Sequence, residues 1–171
     1  MRPTSVAPPT VSSQEILWSF LGSMVSIGLL SWIHFTLLPA DQLLLVGSFG
    51  ASAVLVHGAI TSPLAQPRNL VGGHLLSALV GVVCYKLLGD IPWLAAPLAV
   101  SGAIALMQLT RTLHPPGGAT ALLAVIGSPE LRQLGFLYPL MPAASGALIM
   151  LTVALLFNNL APTRRYPLFW W

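Results

Sequence analysis

The segment LHPPGGATAL, residues 113–122, interrupts a chain that is otherwise dominated by apolar residues. Proline cannot continue a helix that arrives from Leu113, but it suits the first turn of a new helix. The segment therefore predicts that one helix ends near Arg111 and another begins near Pro116. This break decides the architecture, because irregular backbone at membrane depth is tolerated only where it is buried in protein or lines a cavity.

The composition predicts a membrane protein. Of the 171 residues, 56% are hydrophobic and 6% are charged, whereas about a quarter of the residues in soluble domains are charged. The net charge of +3 comes mainly from arginines between or beyond apolar segments. It therefore indicates membrane orientation rather than nucleic-acid binding. The single cysteine, Cys84, lies in an apolar segment, so neither an internal disulfide nor a cysteine metal site is predicted.

The apolar segments predict an all-α, polytopic transmembrane bundle. The candidate spans are residues 16–38, 42–60, 70–88, 93–109 and 135–157. A further apolar segment, residues 119–126, is too short to cross about 30 Å of hydrocarbon alone. We predict a disordered cytoplasmic N-terminus over residues 1–15, a transmembrane domain over residues 16–157 and a C-terminal tail over residues 158–171. The tail is rich in aromatic residues, which suit the membrane interface.

An internal repeat divides the transmembrane domain into halves. At an offset of 68 positions, GASAVL at residues 50–55 aligns with GATALL at residues 118–123. We predict two three-element repeats, residues 16–89 and 92–157, each with a short or glycine-broken middle helix. With three passes in each half, the repeats would be inverted relative to each other, which is a common transporter arrangement.

The placement of charged residues favours six membrane crossings. With six crossings, one side carries Arg2, Arg68, Arg111, Arg164 and Arg165, and the other carries Lys86, Arg132, Asp41, Asp90 and Glu130. This division of basic residues obeys the positive-inside rule and predicts that both termini are cytoplasmic. The alternative is four full spans with two re-entrant half-helices. It moves Arg68 to the side of Asp41 and separates the charges less well.

The break at residues 113–122 has the chemistry of an anion site. The first N–H groups of the new helix would be unpaired, and they form the positive end of its dipole. The glycines let a ligand approach closely. The candidate anion-binding residues are His114, Gly117, Gly118, Ala119, Thr120 and Arg111, with Ser48, Gly50 and Ser52 from the equivalent segment GSFGAS. One alternative is that the segment forms a loop at the membrane surface. For Gly50 and Gly118, the alternative to ligand contact is close packing of helices.

A second candidate group surrounds the polar loop at residues 61–69. His57 and His74 flank this loop, and together with Arg68 and Asn69 they are predicted to line a cytoplasmic vestibule. The histidines lack metal-binding spacing and have no carboxylate partner inside an apolar segment, so no metal is predicted. No Ser/His/acid set is present, so we predict neither an enzyme nor a cofactor.

Three longer motifs resemble those of one family of membrane proteins. TLHPPGGATALLAV at residues 112–125, SPLAQPRNLVGGHLLSALVGV at residues 62–82 and the C-terminal NNL…RRYPLFWW resemble the HPP family, named for its His-Pro-Pro. The resemblance covers roughly residues 14–171. It implies four transmembrane helices rather than six. It also implies nitrite transport, with which plant and cyanobacterial members are associated.

We therefore predict a transporter or channel for a small monovalent anion, with nitrite as the leading substrate. The alternative is a membrane scaffold or sensor module that acts with a soluble partner. The predicted partners are the anion, membrane lipid and further copies of the chain, because many small residues favour close helix packing. No nucleic acid is expected. The first 15 residues lack the features of a signal or transit peptide, which indicates a bacterial or cyanobacterial inner (plasma) membrane.

Overall fold

The computed structural model describes residues 10–37 and 47–171, and this part of the chain is helical without a strand. The helices are α1 (Ser13–Trp32), α2 (Ser48–Ala53), α3 (Pro67–Leu88), α4 (Pro92–Leu109), α5 (Pro115–Ile126), α6 (Pro129–Gln133) and α7 (Ser145–Asn158). Wider π-helical turns extend α1 over Ile33–Leu37 and α2 over Val54–Gly58. A kinked segment, Pro139–Ala144, leads into α7 and has extended backbone at Met141, with φ −141° and ψ 118°. The prediction of an all-α bundle is confirmed.

Within residues 10–37 and 47–171, four helices are long and apolar enough to cross a membrane, namely Ser13–Thr36, Pro67–Leu88, Pro92–Leu109 and Gly135–Asn158. Of the span predicted at residues 42–60, residues 42–46 lie outside the described residues, and in the described part α2 with its extension covers residues 48–58. At about 1.5 Å per residue, extended α2 and α5 each measure roughly 16 to 18 Å, which is about half the hydrocarbon thickness. Both middle elements are therefore short, as the repeat predicts.

One end of the bundle brings together the starts of α1 and α3, the end of α4 and the segment after α7. Arg164 pairs with Glu15 in the first turn of α1, at 2.8 Å between Nε and Oε2. Arg68, in the first turn of α3, donates a hydrogen bond to the carbonyl of Thr110, which directly follows α4. We term this the arginine end, and its basic residues are Arg68, Arg111, Arg164 and Arg165.

The opposite end joins the end of α3 to α6 and to the start of the last span. The Nζ atom of Lys86 lies 5.4 Å from the centroid of the Phe136 ring. The guanidinium of Arg132 lies 5.6 Å from the centroid of the Tyr85 ring. The described basic residues thus divide between the two ends as six crossings predict, whereas Arg2 and Asp41 lie outside the described residues. Which end is cytoplasmic, and whether the halves are inverted repeats, stay predictions.

Close packing around α3 sets the positions of its neighbours. A Cβ added at Gly81 would lie 2.5 Å from the carbonyl oxygen of Ala121, and one added at Gly73 would lie 2.5 Å from the Cβ of His114. The two glycines therefore let α5 and the residue before it approach the α3 backbone, as small residues do between membrane helices. The order of these contacts means that α5 runs alongside α3 in the same direction, away from the arginine end.

The C-terminal tail folds back onto the arginine end. The Tyr166 hydroxyl donates to the carbonyl of Ala65 at 2.7 Å, and the N–H of Leu168 donates to Oε1 of Gln66 at 2.8 Å. Tyr166 is buried, whereas Phe169, Trp170 and Trp171 are exposed. Part of the tail is thus packed in the protein interior, and the interfacial position predicted for the tail stays a prediction for its exposed aromatic residues.

Candidate functional site: a buried serine–histidine cluster

Five polar side chains meet inside the bundle where α2, α3 and α5 approach one another. Ser48 and Ser52 come from α2, His74 from α3 and Thr120 from α5, and His114 directly precedes α5. None is more than 1% exposed. We term this set the Ser–His cluster. Polar side chains buried in a membrane protein are costly and commonly mark a functional path.

Ser52 bridges the two histidines of the cluster. Its Oγ lies 2.7 Å from Nε2 of His74 and 2.8 Å from Nε2 of His114. The other ring nitrogen of His114, Nδ1, lies 2.8 Å from the carbonyl oxygen of Leu64, in the loop before α3. The two rings have their centroids 5.1 Å apart and are steeply inclined, at 60°. The contacts thus run without a gap from Leu64 to His74.

Thr120 continues this series of contacts on the other side of His74. Its Oγ1 lies 2.7 Å from Nδ1 of His74 and 2.9 Å from the Oγ of Ser48, at the first residue of α2. The Tyr138 hydroxyl donates to the backbone carbonyl of Thr120 at 2.9 Å. The side chains of the cluster therefore form one continuous series of hydrogen bonds from the loop before α3 to the start of α2.

The direction of these hydrogen bonds follows from Leu64, because a carbonyl oxygen can only accept. A neutral His114 must carry its proton on Nδ1, so its Nε2 accepts from the Ser52 hydroxyl. Ser52 has a single proton to donate and therefore accepts from Nε2 of His74. The Nδ1 of His74 is then an acceptor for the Thr120 hydroxyl. All four ring nitrogens are thus hydrogen-bonded with both histidines neutral, which makes the burial of the cluster tolerable.

The two bridging hydroxyls each have a second acceptor one helical turn earlier. The Oγ of Ser52 lies 3.3 Å from the carbonyl oxygen of Ser48, and Oγ1 of Thr120 lies 3.2 Å from that of Pro116. Serine and threonine in helices commonly bond to the carbonyl four residues before them. Either hydroxyl can therefore turn away from its histidine without losing a hydrogen-bond acceptor.

The break at residues 113–122 places His114 in the cluster. Arg111 has a φ of 57°, in the left-handed region that reverses the chain after a helix. His114 is extended, with φ −139° and ψ 104°, and Pro115 begins α5. Asn69 holds this loop, because its Nδ2 donates to the carbonyl of Leu113 at 2.8 Å. The predicted helix end and helix start are both confirmed, and His114 is fully buried between them rather than lying at the protein surface.

Only part of the predicted anion site is brought together. The structure places His114, Thr120, Ser48 and Ser52 in one cluster and adds His74, which was predicted to line the vestibule. The remaining predicted residues, Gly50, Arg111, Gly117, Gly118 and Ala119, lie elsewhere.

These five residues are separated from the cluster mainly by helical register. Gly50, Arg111 and Ala119 are exposed, and Gly118 borders an apolar cleft between α4 and α5 that is lined by Val100 and Leu122, among others. Gly117 packs against α3, where an added Cβ would lie 2.6 Å from the Oγ of Ser77. Successive residues of a helix face different directions, so residues 117–120 cannot all point at one ligand.

The predicted vestibule residues also separate. Nε2 of His57 lies 2.7 Å from the Oγ of Ser26 in α1, and its Nδ1 is buried without a hydrogen-bond partner among the described residues. Arg68 and Asn69 bind backbone carbonyls at the end of α4 and in the following loop. Instead of lining one cavity, Arg68 and Asn69 hold the loop after α4, whereas the His57 side chain packs against the middle of α1. Within residues 10–37 and 47–171, no group of three or more His, Cys, Asp or Glu residues could hold a metal ion.

Sequence reasoning missed a second polar network, which surrounds Arg164. Besides its ion pair with Glu15, this guanidinium donates to the Oγ of Ser19 at 2.8 Å, to the carbonyl of His57 at 3.1 Å and to Oδ1 of Asn158 at 3.2 Å. The positive-inside rule accounts for an arginine at this position even if its side chain contacts nothing. The sequence therefore contained no signal that distinguished Arg164 from its neighbour Arg165.

Comparison with known proteins identifies relatives of the chain. Residues 8–167 match the family model described as HPP, transmembrane region, which confirms the resemblance. The chain is similar to two transmembrane proteins of Dictyostelium discoideum. One is 51% identical over 168 residues, which cover 96% of this chain and 59% of the relative. The other is 48% identical over 169 residues, which cover 96% and 54%. The chain thus spans little more than half the length of these relatives. No solved structure matches it.

Proposed function

The chain belongs to the HPP family of transmembrane proteins, and on that premise we propose that it moves a small monovalent anion across the membrane, with nitrite as the leading substrate. The observation that carries the proposal is the Ser–His cluster. Its five polar side chains are at most 1% exposed, in a chain whose other buried side chains are mostly apolar. Intramembrane polar groups of this kind are expected on substrate paths.

The chemistry of the cluster suits a weakly held anion. Nitrite accepts hydrogen bonds, and the hydroxyl and imidazole donors of the cluster, which now bond to one another and to Leu64, could turn to an anion without a fixed full charge. Such donors can replace part of the hydration shell and still release the ion, as conduction requires. A site with a permanent unpaired cation would hold the anion more tightly and would slow its release.

The two short helices add to this chemistry. Ser48 is the first residue of α2, and His114 is the residue before α5, so both helices begin at the cluster. Helix N-termini carry partial positive charge, and transporters use such half-length helices to face anionic substrates at membrane depth. His74 lies roughly 10 Å along α3 at about 1.5 Å per residue, inside the span Pro67–Leu88.

Nitrite flux into liposomes that contain the purified protein tests this proposal. Protein-free liposomes provide the baseline, because neutral nitrous acid crosses lipid unaided. We expect flux above this baseline and a loss of that excess in Ser52→Ala. The matched control is Ser101→Ala, since Ser101 is exposed on α4 and donates only to its own helix, to the carbonyl of Pro97 at 2.7 Å. Wild-type flux equal to the baseline would refute the proposal.

A second candidate function is a membrane scaffold or sensor. It is favoured by the length of the two relatives, because about two fifths or more of each lies outside the match to this chain. Absence of anion flux together with recovery of a specific soluble partner from cells would support it. We propose that the chain is not an enzyme, since Glu15, Asp90 and Glu130 lie at the ends of the bundle, away from the cluster. Self-association, lipid contact and a bacterial or cyanobacterial membrane stay predictions.

A further inference from the structure

The Ser–His cluster is also suited to take up a proton with the anion. Resting on the proposed function, we propose that the protein moves its anion together with one proton, which binds at His74 when the anion binds.

The neutral cluster can take up a proton at His74 with little rearrangement. The added proton binds Nδ1 of His74, which at present accepts from Thr120 at 2.7 Å. The Thr120 hydroxyl turns to the carbonyl of Pro116, 3.2 Å away, and its oxygen becomes the acceptor. The His74 imidazolium then donates to Thr120 and to Ser52. No covalent bond of the protein breaks, and every hydrogen bond retains a partner.

Protonation of His114 would be less favourable. Its Nδ1 already donates to Leu64, so the proton would have to bind Nε2, and the Ser52 hydroxyl would have to turn to the carbonyl of Ser48, at 3.3 Å. His114 directly precedes α5, so its imidazolium would lie at the N-terminus of that helix, where the partial positive charge disfavours a cation. With the ring centroids 5.1 Å apart, two imidazolium charges would also repel each other. The cluster therefore takes one proton, and His74 receives it.

A protonated His74 has no balancing negative charge among the described residues. Two further ionisable groups come close to it: His114, through Ser52, and Tyr138, whose hydroxyl binds the backbone of Thr120. The closest packed elements, α2 and α5, present Ser48, Ser52, Phe49 and Thr120. Along α3 the nearest charge towards the arginine end is Arg68, which is also positive and binds Thr110.

The carboxylates that the structure describes lie far from His74. Glu15 pairs with Arg164 at the arginine end. Asp90 lies in the turn between α3 and α4, and Glu130 lies in α6 at the opposite end. A buried unpaired charge is costly, so the imidazolium is stable only when an anion is bound beside it. By linkage, the proton and the anion must each raise the affinity for the other.

This pairing determines the driving force. A monovalent anion and one proton carry no net charge together, so a pH gradient drives the movement and the membrane voltage does not. An anion channel or uniporter behaves in the opposite way, because its flux follows the voltage. With one proton per anion, the anion would accumulate about tenfold for each pH unit of gradient, since both represent the same free energy.

The experiment compares the two driving forces in liposomes that contain the full chain and a pH-sensitive dye. Nitrite is the probe, and protein-free liposomes give the contribution of nitrous acid. At equal starting pH, we expect nitrite entry to acidify the lumen faster than in protein-free liposomes. An inward proton gradient should accelerate uptake, whereas a potassium–valinomycin potential of either sign should leave the rate unchanged.

The variant His74→Gln tests the proton site. It retains hydrogen-bonding groups but cannot bind the proton, so the protein-dependent acidification should be lost. His34→Gln, in the π-helical turn after α1, is the control for loss of a histidine and should behave as the wild type. Both proteins are first checked for a single symmetric peak in size-exclusion chromatography. If His74→Gln is misfolded, the wild-type comparison of pH gradient and voltage decides the question alone.

The outcomes separate this inference from the proposed function. Wild-type nitrite flux that follows the voltage and does not acidify the lumen overturns proton coupling but leaves anion transport standing. Full acidification by folded His74→Gln overturns the assignment to His74. Flux no faster than in protein-free liposomes overturns both the proposed function and the coupling that rests on it.

Discussion

Ser52 lies between His74 and His114, at 2.7 Å and 2.8 Å from their Nε2 atoms. One hydroxyl thus joins a histidine of a membrane-spanning helix to a histidine of the loop before a short helix. A hydroxyl donates one proton, so the two rings must have opposite roles towards it: His74 donates and His114 accepts. Because of this asymmetry, the hydrogen bonds of the cluster are all donated in one direction, from Thr120 through His74 and Ser52 to His114.

Ser52→Ala should destabilise the protein as well as abolish transport. The substitution leaves the Nε2 acceptor of His114 and the Nε2 donor of His74 without their partner, and each unsatisfied buried group costs about 1–3 kcal/mol. The melting temperature in detergent should fall, and nitrite flux should approach that of protein-free liposomes. Ser101→Ala should change neither quantity. An unchanged melting temperature in Ser52→Ala would contradict the hydrogen-bonded bridge.

Nitrite flux should depend on the hydroxyl of Thr120 rather than on the size of its side chain. Thr120→Ser retains the donor to His74 and the acceptor beside Ser48, so nitrite flux should stay above half of the wild-type rate. Thr120→Val has a similar shape but lacks the hydroxyl, which leaves Nδ1 of His74 unpaired. Flux should fall to the protein-free baseline. Equal flux in the two variants, measured with matched amounts of reconstituted protein, would show that Thr120 only fills space.

Gly117 and Gly118 should respond differently to the same substitution, although they are neighbours. A Cβ at Gly117 would lie 2.6 Å from the Oγ of Ser77 and 3.0 Å from the carbonyl oxygen of Gly73, whereas one at Gly118 would meet only a methyl of Val100 at 3.8 Å. Overpacking typically costs about 1–3 kcal/mol, so Gly117→Ala should lower the melting temperature. Gly118→Ala should not lower it, because alanine favours helix over glycine by about 1 kcal/mol.

The opposite result would alter the interpretation of these glycines. If Gly118→Ala retained its melting temperature but lost nitrite flux, then ligand approach at Gly118 would be required, as the sequence alone suggested. Flux in this variant is therefore measured together with its stability.

Arg164 should be required for the stability of the arginine end. Its side chain is 2% exposed and pairs with Glu15, whose side chain is 31% exposed. Removal of one partner from a buried ion pair typically lowers the free energy of unfolding by about 3–5 kcal/mol. Because the Glu15 side chain is partly exposed, we expect a loss at the lower limit of this range. Arg164→Gln should lower the melting temperature and make the C-terminal tail susceptible to protease. Arg165→Gln, at an exposed position, should do neither, and similar behaviour of the two variants would contradict the network.

Local chemistry explains what could be predicted. Hydropathy identified the four spans because a long apolar helix is stable only where lipid replaces water. Proline and glycine at residues 113–122 identified the break because their backbone limits act within a few residues. Hydropathy did not show that the extension of α2 ends at Gly58, because it counts apolar residues and does not sense where a helix ends.

The site was only partly predictable, because its contacts join residues that are distant in sequence. Thr120 and Ser48 are 72 positions apart, and Arg164 and Glu15 are 149 positions apart. Residues of suitable chemistry were recognised at Ser48, Ser52, His114 and Thr120. Their separation from Gly118 and Ala119 depends on which face of α5 packs against α3, and a short helix that is apolar around most of its circumference does not encode that choice.

The sequence alone identifies a polytopic, all-α membrane protein with a proline-initiated helix after His114, because composition and local backbone restrictions are sufficient for these conclusions. Its longer motifs, and not its composition, identify the HPP family. Tertiary packing is what makes His74 and His114 share Ser52, turns Gly118 away from them and buries Arg164. The first two outcomes depend on close packing at Gly73 and Gly81, where α3 meets α5 and the residues before it and one register is selected among several that the apolar sequence allows. Arg164 is buried by its contacts with Ser19 of α1 and Asn158 of α7.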